Sequence, residues 1–167
     1  MKKFISILLI AMTLLGLTAC QPGDPATTAA NGGNKEPKEL VLADTYTAIT
    51  ANANVPEMWK VDNDLLLDLY GIQAQWCKQL EVYQCDNSMR ADEIWLIEAT
   101  DAEALAELKQ KAEARLTAKD EESVTYSPEQ NAIVKKAHLE TYGNYLVMIV
   151  SPDVETITAA FKTEAGV

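Results

Sequence analysis

The sequence is short of positive charge: 14 Lys and Arg stand against 25 Asp and Glu in 167 residues, a formal net charge of −11. No Lys/Arg cluster or basic stripe interrupts this acidic field, so phosphate backbones are repelled and nucleic-acid binding is excluded. Histidine is equally scarce, with His138 alone, and the three cysteines Cys20, Cys77 and Cys85 lack the short paired spacings that a zinc site needs. Long apolar runs are missing too. The longest, the fourteen residues Phe4–Leu17, falls short of the roughly 20 needed to cross a hydrocarbon core.

That run has another use. Lys2 and Lys3 precede it and Leu17-Thr18-Ala19-Cys20 closes it, which is the order of a secretory n-region, h-region and cleavage site. The last four residues resemble a bacterial lipobox, in which the cysteine thiol becomes a diacylglyceryl thioether and the freed amine is acylated, with palmitate-class chains. The expectation is therefore a signal peptide over 1–19, a lipidated Cys20, and a membrane partner reached through that anchor on the outer face of the cytoplasmic membrane. Two or more acyl chains hold stably where one binds marginally. Loss of Lys2 and Lys3 would leave 12 basic against 25 acidic residues, a mature charge of −13.

Residues 20–38 are rich in Pro, Gly, Ala, Thr and Asn and cannot repay the entropy of ordering, so they read as a disordered tether with a reach of about 25 Å. A single domain is expected over 39–165. Its first helix runs from Leu40 on the spacing of Val41, Ala43, Tyr46 and Ile49, and Pro56 follows the break near Asn52–Asn54. A second starts at the N-cap Asp62 and stops at Gly71. Leu80/Val82 and Ile94–Ile97 then alternate around Asp86-Asn87-Ser88 as an antiparallel hairpin. Thr100 and Glu103 suggest a capping box for a long amphipathic helix with the stripe Ala102, Leu105, Leu108, Ala112, Leu116.

The plan then recurs. Ser127-Pro128-Glu129-Gln130 opens a short helix, with Gln130 expected to reach back to the cap; strands 137–142 and 145–150 turn at Gly143-Asn144; Ser151-Pro152 caps a C-terminal helix. Leu96 and Met148, the strand centres, are 52 residues apart. The expected fold is α+β: a four-stranded, mostly antiparallel sheet with helices on one face, and a possible duplicated αββα plan.

Ala91-Asp92-Glu93-Ile94, Tyr126-x-Pro128-Glu129-Gln130 and Gly143-Asn144-Tyr145, in that order over roughly residues 39–165, resemble the uncharacterised lipoproteins grouped as DUF4358, found mainly in Gram-positive Firmicutes. The resemblance implies an outer-face location at the cytoplasmic membrane. It brings no activity, ligand, cofactor or catalytic residue.

Candidate sites have bland counterparts. Asp92-Glu93 has the composition of a carboxylate pair, but neighbours on a strand point to opposite faces, so a solvated strand entrance is expected. Asp62, Asn63, Asp64 and Asp68 lack the oxygen donor and glycine of a calcium loop, having Leu66 and Leu67 there instead. Cys77 and Cys85 would lie about 26 Å apart in an extended strand, against a disulfide's limit of about 7 Å, so bridging needs Cys77 to precede a bend. A nucleophile pair of Cys77 or Cys85 with His138 would need their strands close together, as a four-stranded sheet would place Cys85 and His138. Tyr126, Tyr142, Tyr145 and Trp95, with Trp76, are ligand-surface candidates, although Tyr142 and Tyr145 should simply pair across their hairpin. No catalytic, metal or cofactor residue is assigned. The leading expectation is a non-enzymatic envelope module whose sheet face or edge binds an envelope protein or cell-wall component; the alternative is a small hydrolase using the Cys/His pair.

Overall fold

The computed structural model describes residues 36–167; the expected signal peptide, Cys20 and the tether up to residue 35 lie outside the described residues. Chain order is α1 (Leu42–Thr50), β1 (Met58–Lys60), α2 (Asn63–Tyr70), a 3-10 turn (Ala74–Trp76), β2 (Cys77–Cys85), β3 (Glu93–Ala99), α3 (Ala102–Tyr126), α4 (Pro128–Val134), β4 (His138–Tyr142), β5 (Tyr145–Val150) and α5 (Val154–Ala165). None of these helices is long and apolar enough to cross a membrane.

The strands form one sheet in the order β1-β2-β3-β5-β4, every pairing antiparallel. Five strands stand where four were expected, because Met58–Lys60 is too short to show an alternation yet pairs with Lys60 opposite Tyr83. β3 and β5 occupy the centre, and the apolar residues of both alternations there are buried. A strand apolar on both sides needs cover on both sides. Helices accordingly lie on both faces, not one. Val82, Trp95, Ile97 and Met148 pack beneath α2, α3 and α4, and Ile94, Leu96, Val147 and Ile149 pack beneath α1 and α5.

The element order α2-β2-β3-α3 does recur as α4-β4-β5-α5. It does not make two symmetric halves. Antiparallel neighbours β3 and β5 can be exchanged by a two-fold only if its axis is perpendicular to the sheet, and that operation keeps each face. Yet α3 and α5 lie on opposite faces, and the 52-residue offset carries Leu96 on one face to Met148 on the other.

Helix ends follow local chemistry with some changes. Asp101, one residue past the expected cap, accepts from Ala104 N at 2.8 Å and starts α3. Asp62 is the N-cap residue of α2 but makes no side-chain cap bond, and Gly71 ends that helix at φ 67°. Ser127 Oγ accepts from Gln130 N at 3.3 Å, whereas the side chain of Gln130 goes elsewhere. Gly143, at φ 54°, makes the β4–β5 turn, where an added Cβ would sit 3.1 Å from Pro37.

Candidate functional site

The site grows from the turn between β2 and β3. Asn87 Oδ1 accepts from Met89 N at 3.0 Å and its carbonyl accepts from Arg90 N at 2.9 Å, a local closure of the kind that makes Asx residues turn formers. The returning leg is then fastened from outside. Gln130 Oε1 on α4 accepts from Ala91 N at 2.8 Å, and Lys119 Nζ on α3 donates to Ala91 O at 2.9 Å. Between turn and helices lies a cleft of about 200 Å³.

Its floor is ionic. Glu93 is fully buried at the start of β3, and Arg115 grips it with Nε at 3.1 Å and Nη2 at 2.8 Å from Oε2. Lys119 Nζ lies 2.8 Å from the same oxygen, and Trp95 Nε1 donates to Oε1 at 2.7 Å. Arg115 also lies over the Tyr70 ring, 5.2 Å from its centroid. Burial, then the nearby Glu93 charge, pushes the Tyr70 hydroxyl well above the usual tyrosine range, so it remains a donor, here to Gln84 Oε1 at 2.7 Å.

Asp92, 2% exposed, takes Arg90 Nε on Oδ2 at 2.9 Å. Its Oδ1 is buried with no hydrogen-bond partner among the described residues. The expected solvated strand entrance does not hold: both carboxylates are inside. Long cationic side chains from α3 and the turn make that burial possible.

The named candidates are placed as follows. Trp95 is a core residue, its ring against Tyr70. Tyr142 and Tyr145 pair across the β4–β5 turn and are buried; Tyr145 Oη accepts from Leu40 N at 3.1 Å and Tyr142 Oη donates to Glu140 at 2.6 Å. Trp76 is partly buried in the 3-10 turn and packs against the core beneath α3. The side chain of Tyr126 lies outside the described residues.

Cys77 and Cys85 are free and stand at opposite ends of β2, too far apart for a bridge. Burial raises the Cys77 thiol to about 11. His138 does not lie beside Cys85's strand. β3 and β5 intervene, because β4 adds to the far side of β5, and three strand spacings of about 4.8 Å separate the backbones of β2 and β4 by roughly 14 Å. The imidazole instead meets Tyr142 Oη at 3.1 Å and Glu140 Oε2 at 3.4 Å.

Sequence reasoning missed Arg90, Arg115, Lys119 and Gln130. One signal was present: the chain has two arginines, 90 and 115, and both line this cleft.

A family model, described as Domain of unknown function (DUF4358), matches residues 51–151. The chain belongs to the DUF4358 family. The match spans β1 through β5, so the strands, α3, α4 and the whole cleft fall inside the DUF4358 region, while α1 and α5 flank it. No curated protein and no solved structure matches.

Proposed function

We propose that this DUF4358 chain is an extracytoplasmic lipoprotein, held on the outer face of a bacterial cytoplasmic membrane by an acylated Cys20, and that its folded domain is a non-enzymatic binding module of the cell envelope. The observation that carries the placement is Leu17-Thr18-Ala19-Cys20 behind a basic start and a short apolar run. The cleft under the β2–β3 turn supports the binding role. It is concave, and buried Asp92 from the β2–β3 turn and buried Lys119 from α3 both line it. With helices over both sheet faces, a ligand is met there and not on an open face. The separation of His138 from both cysteines leaves the hydrolase alternative without an assembled nucleophile and base.

Two measurements test this reading. The full chain and its Cys20→Ala variant are expressed, fractionated and weighed intact: the parent should sediment with membranes carrying acyl mass on residue 20, and the variant should be released. An unmodified thiol, or a variant still bound to membranes, overturns the placement. A photocrosslinker at Met89, 63% exposed beside the cleft, should capture an envelope component that the same probe at Leu67 on α2 does not. No capture from Met89, or equal capture from both, overturns the binding role.

A further inference from the structure

We infer that the open edge of β4 pairs with the same edge of a second copy of this chain, antiparallel about a two-fold axis at Leu139, joining two five-stranded sheets into one. This goes beyond the binding module above and depends on neither the cleft nor Cys20.

The edge comes first. β4 ends the sheet, and β5 is its one strand neighbour among the described residues. Tyr142 and Tyr145 close a two-residue turn, so they form a hydrogen-bonded pair, and pairs alternate from there. Glu140 and His138 therefore bond to β5, while Leu139 and Thr141 turn their N–H and C=O groups outward. No proline, lysine or bulge within β4 blunts that edge.

Charge selects the occupant and the register. Outward-turned residues must oppose one another, so a two-fold axis falls at Leu139, Glu140 or Thr141. At Glu140 it sets two carboxylates opposite each other, which is unfavourable. At Thr141 it runs Leu139 into the partner's Gly143, where the strand already turns. At Leu139 it sets an apolar residue against itself and His138 opposite the partner's Glu140 on both sides of the axis, an imidazole facing a carboxylate.

The neighbouring helix gives the same answer. Glu155, Thr158, Ala159 and Lys162 of α5 line a groove beside Ala137 and His138, and their i, i+3, i+4, i+7 spacing makes one stripe. It is acidic at one end, basic at the other and small between. An antiparallel copy meets it with the charges reversed, Glu155 towards the partner's Lys162. The levels agree. α5 starts just past Val150, at the His138 end of β4, and its Lys162 lies 3.8 Å from Glu140 and over the Tyr142 ring. Three to four helical residues back, about 5 Å, equal under two strand residues, which brings Thr158 and Ala159 level with Leu139. The net charge of −11 opposes the approach of two copies, so the pair is weak and concentration-dependent.

The test is oxidative crosslinking of the full chain expressed in bacteria, resolved on a non-reducing gel with the parent as background. Leu139→Cys should give a dimer band, its Cα lying about 5.5 Å from the partner's. Thr141→Cys should not, at about 13 Å from its own copy. Should Leu139→Cys misfold, Ala137→Cys and Thr141→Cys co-expressed as separate chains should crosslink to each other and neither alone, because this axis sets Ala137 opposite the partner's Thr141. Lys162→Glu should cut the dimer yield about tenfold, and adding Glu155→Lys should restore it. No dimer band from either Leu139→Cys or the mixed pair overturns the inference. So does a Thr141→Cys band as strong as that of Leu139→Cys, a yield that Lys162→Glu leaves unchanged, or a loss that Glu155→Lys does not repair. Crosslinks to other proteins alone would mean that the edge takes a different strand, and would overturn self-pairing as well.

Discussion

Trp95 donates its indole N–H to the carboxylate of Glu93, two residues earlier on the same strand, at 2.7 Å, and neither side chain is exposed to solvent. Residues i and i+2 share a strand face, so the bond costs no distortion of β3. With Arg115 and Lys119 it leaves Glu93 held by two cations and a neutral donor. The ionic group joins the central strand to the second half of α3 and so fixes the wall on which the cleft is built.

Removing one member of such a group strands the others. Glu93→Ala should destabilise the protein by about 3–5 kcal/mol, because two cations and an indole N–H stay behind without their acceptor. Urea unfolding measures this. The triple replacement Glu93→Leu, Arg115→Met, Lys119→Met should recover much of the loss, since a well-packed apolar substitute carries no desolvation cost. A Glu93→Ala protein as stable as the parent would mean the ion group is not what holds α3 to the sheet.

Gln130 shows the same economy at the turn. Its side chain accepts from the Ala91 amide instead of closing back on its own helix. Gln130→Ala should therefore cost about 1–2 kcal/mol and speed hydrogen exchange at Ala91 more than at core amides of β3. Exchange read residue by residue by NMR checks it. An unchanged Ala91 rate would show that Lys119 alone holds the turn.

What was legible in the sequence was whatever burial by apolar side chains writes into it. Ile94–Ile97, Leu146–Val150, Gly71 and Gly143-Asn144 gave strands, a helix stop and a hairpin because period, αL glycine and turn residues act locally. β1 was silent, since three residues carry no period. The second half of α3 was silent for a different reason: its buried residues are Lys119 and Ser123, which read as solvent-facing in any hydropathy pattern. The cleft stayed hidden on the same ground. Asp92 and Glu93 look like surface carboxylates until Arg115 and Lys119 arrive from α3 and Arg90 folds back within the turn. Only the rarity of arginine pointed there.

Cys77 offers a chemical check on the closed face beneath α2 and α3. Burial raises its thiol to about 11 from 9.0, so near pH 8 it holds about a hundredfold less thiolate than an unshifted cysteine. Alkylation of the native protein, mapped by peptide mass, should mark Cys77 slowly and accelerate on addition of urea. Rapid native labelling of Cys77 would mean that the start of β2 opens more readily than its packing implies.

His138 sets a pH dependence whose sign follows from its surroundings. On β4 it meets Tyr142 and Glu140, and Lys136 and Lys162 line the adjoining surface groove. Burial lowers its pKa from 6.5; Glu140 opposes that and Lys162 adds to it. The unfolded chain therefore takes up the proton first as pH falls through 6.5, while the folded imidazole stays neutral. Stability is lost in that window, rises with pH across it, and receives nothing from this group well above it. Urea midpoints for the parent and His138→Gln at about pH 7.5 and about pH 5.5 should show a larger acid loss in the parent, the variant lacking the titration. Equal losses would mean that Glu140 offsets burial, and a larger one in the variant that Glu140 outweighs it and raises the folded pKa.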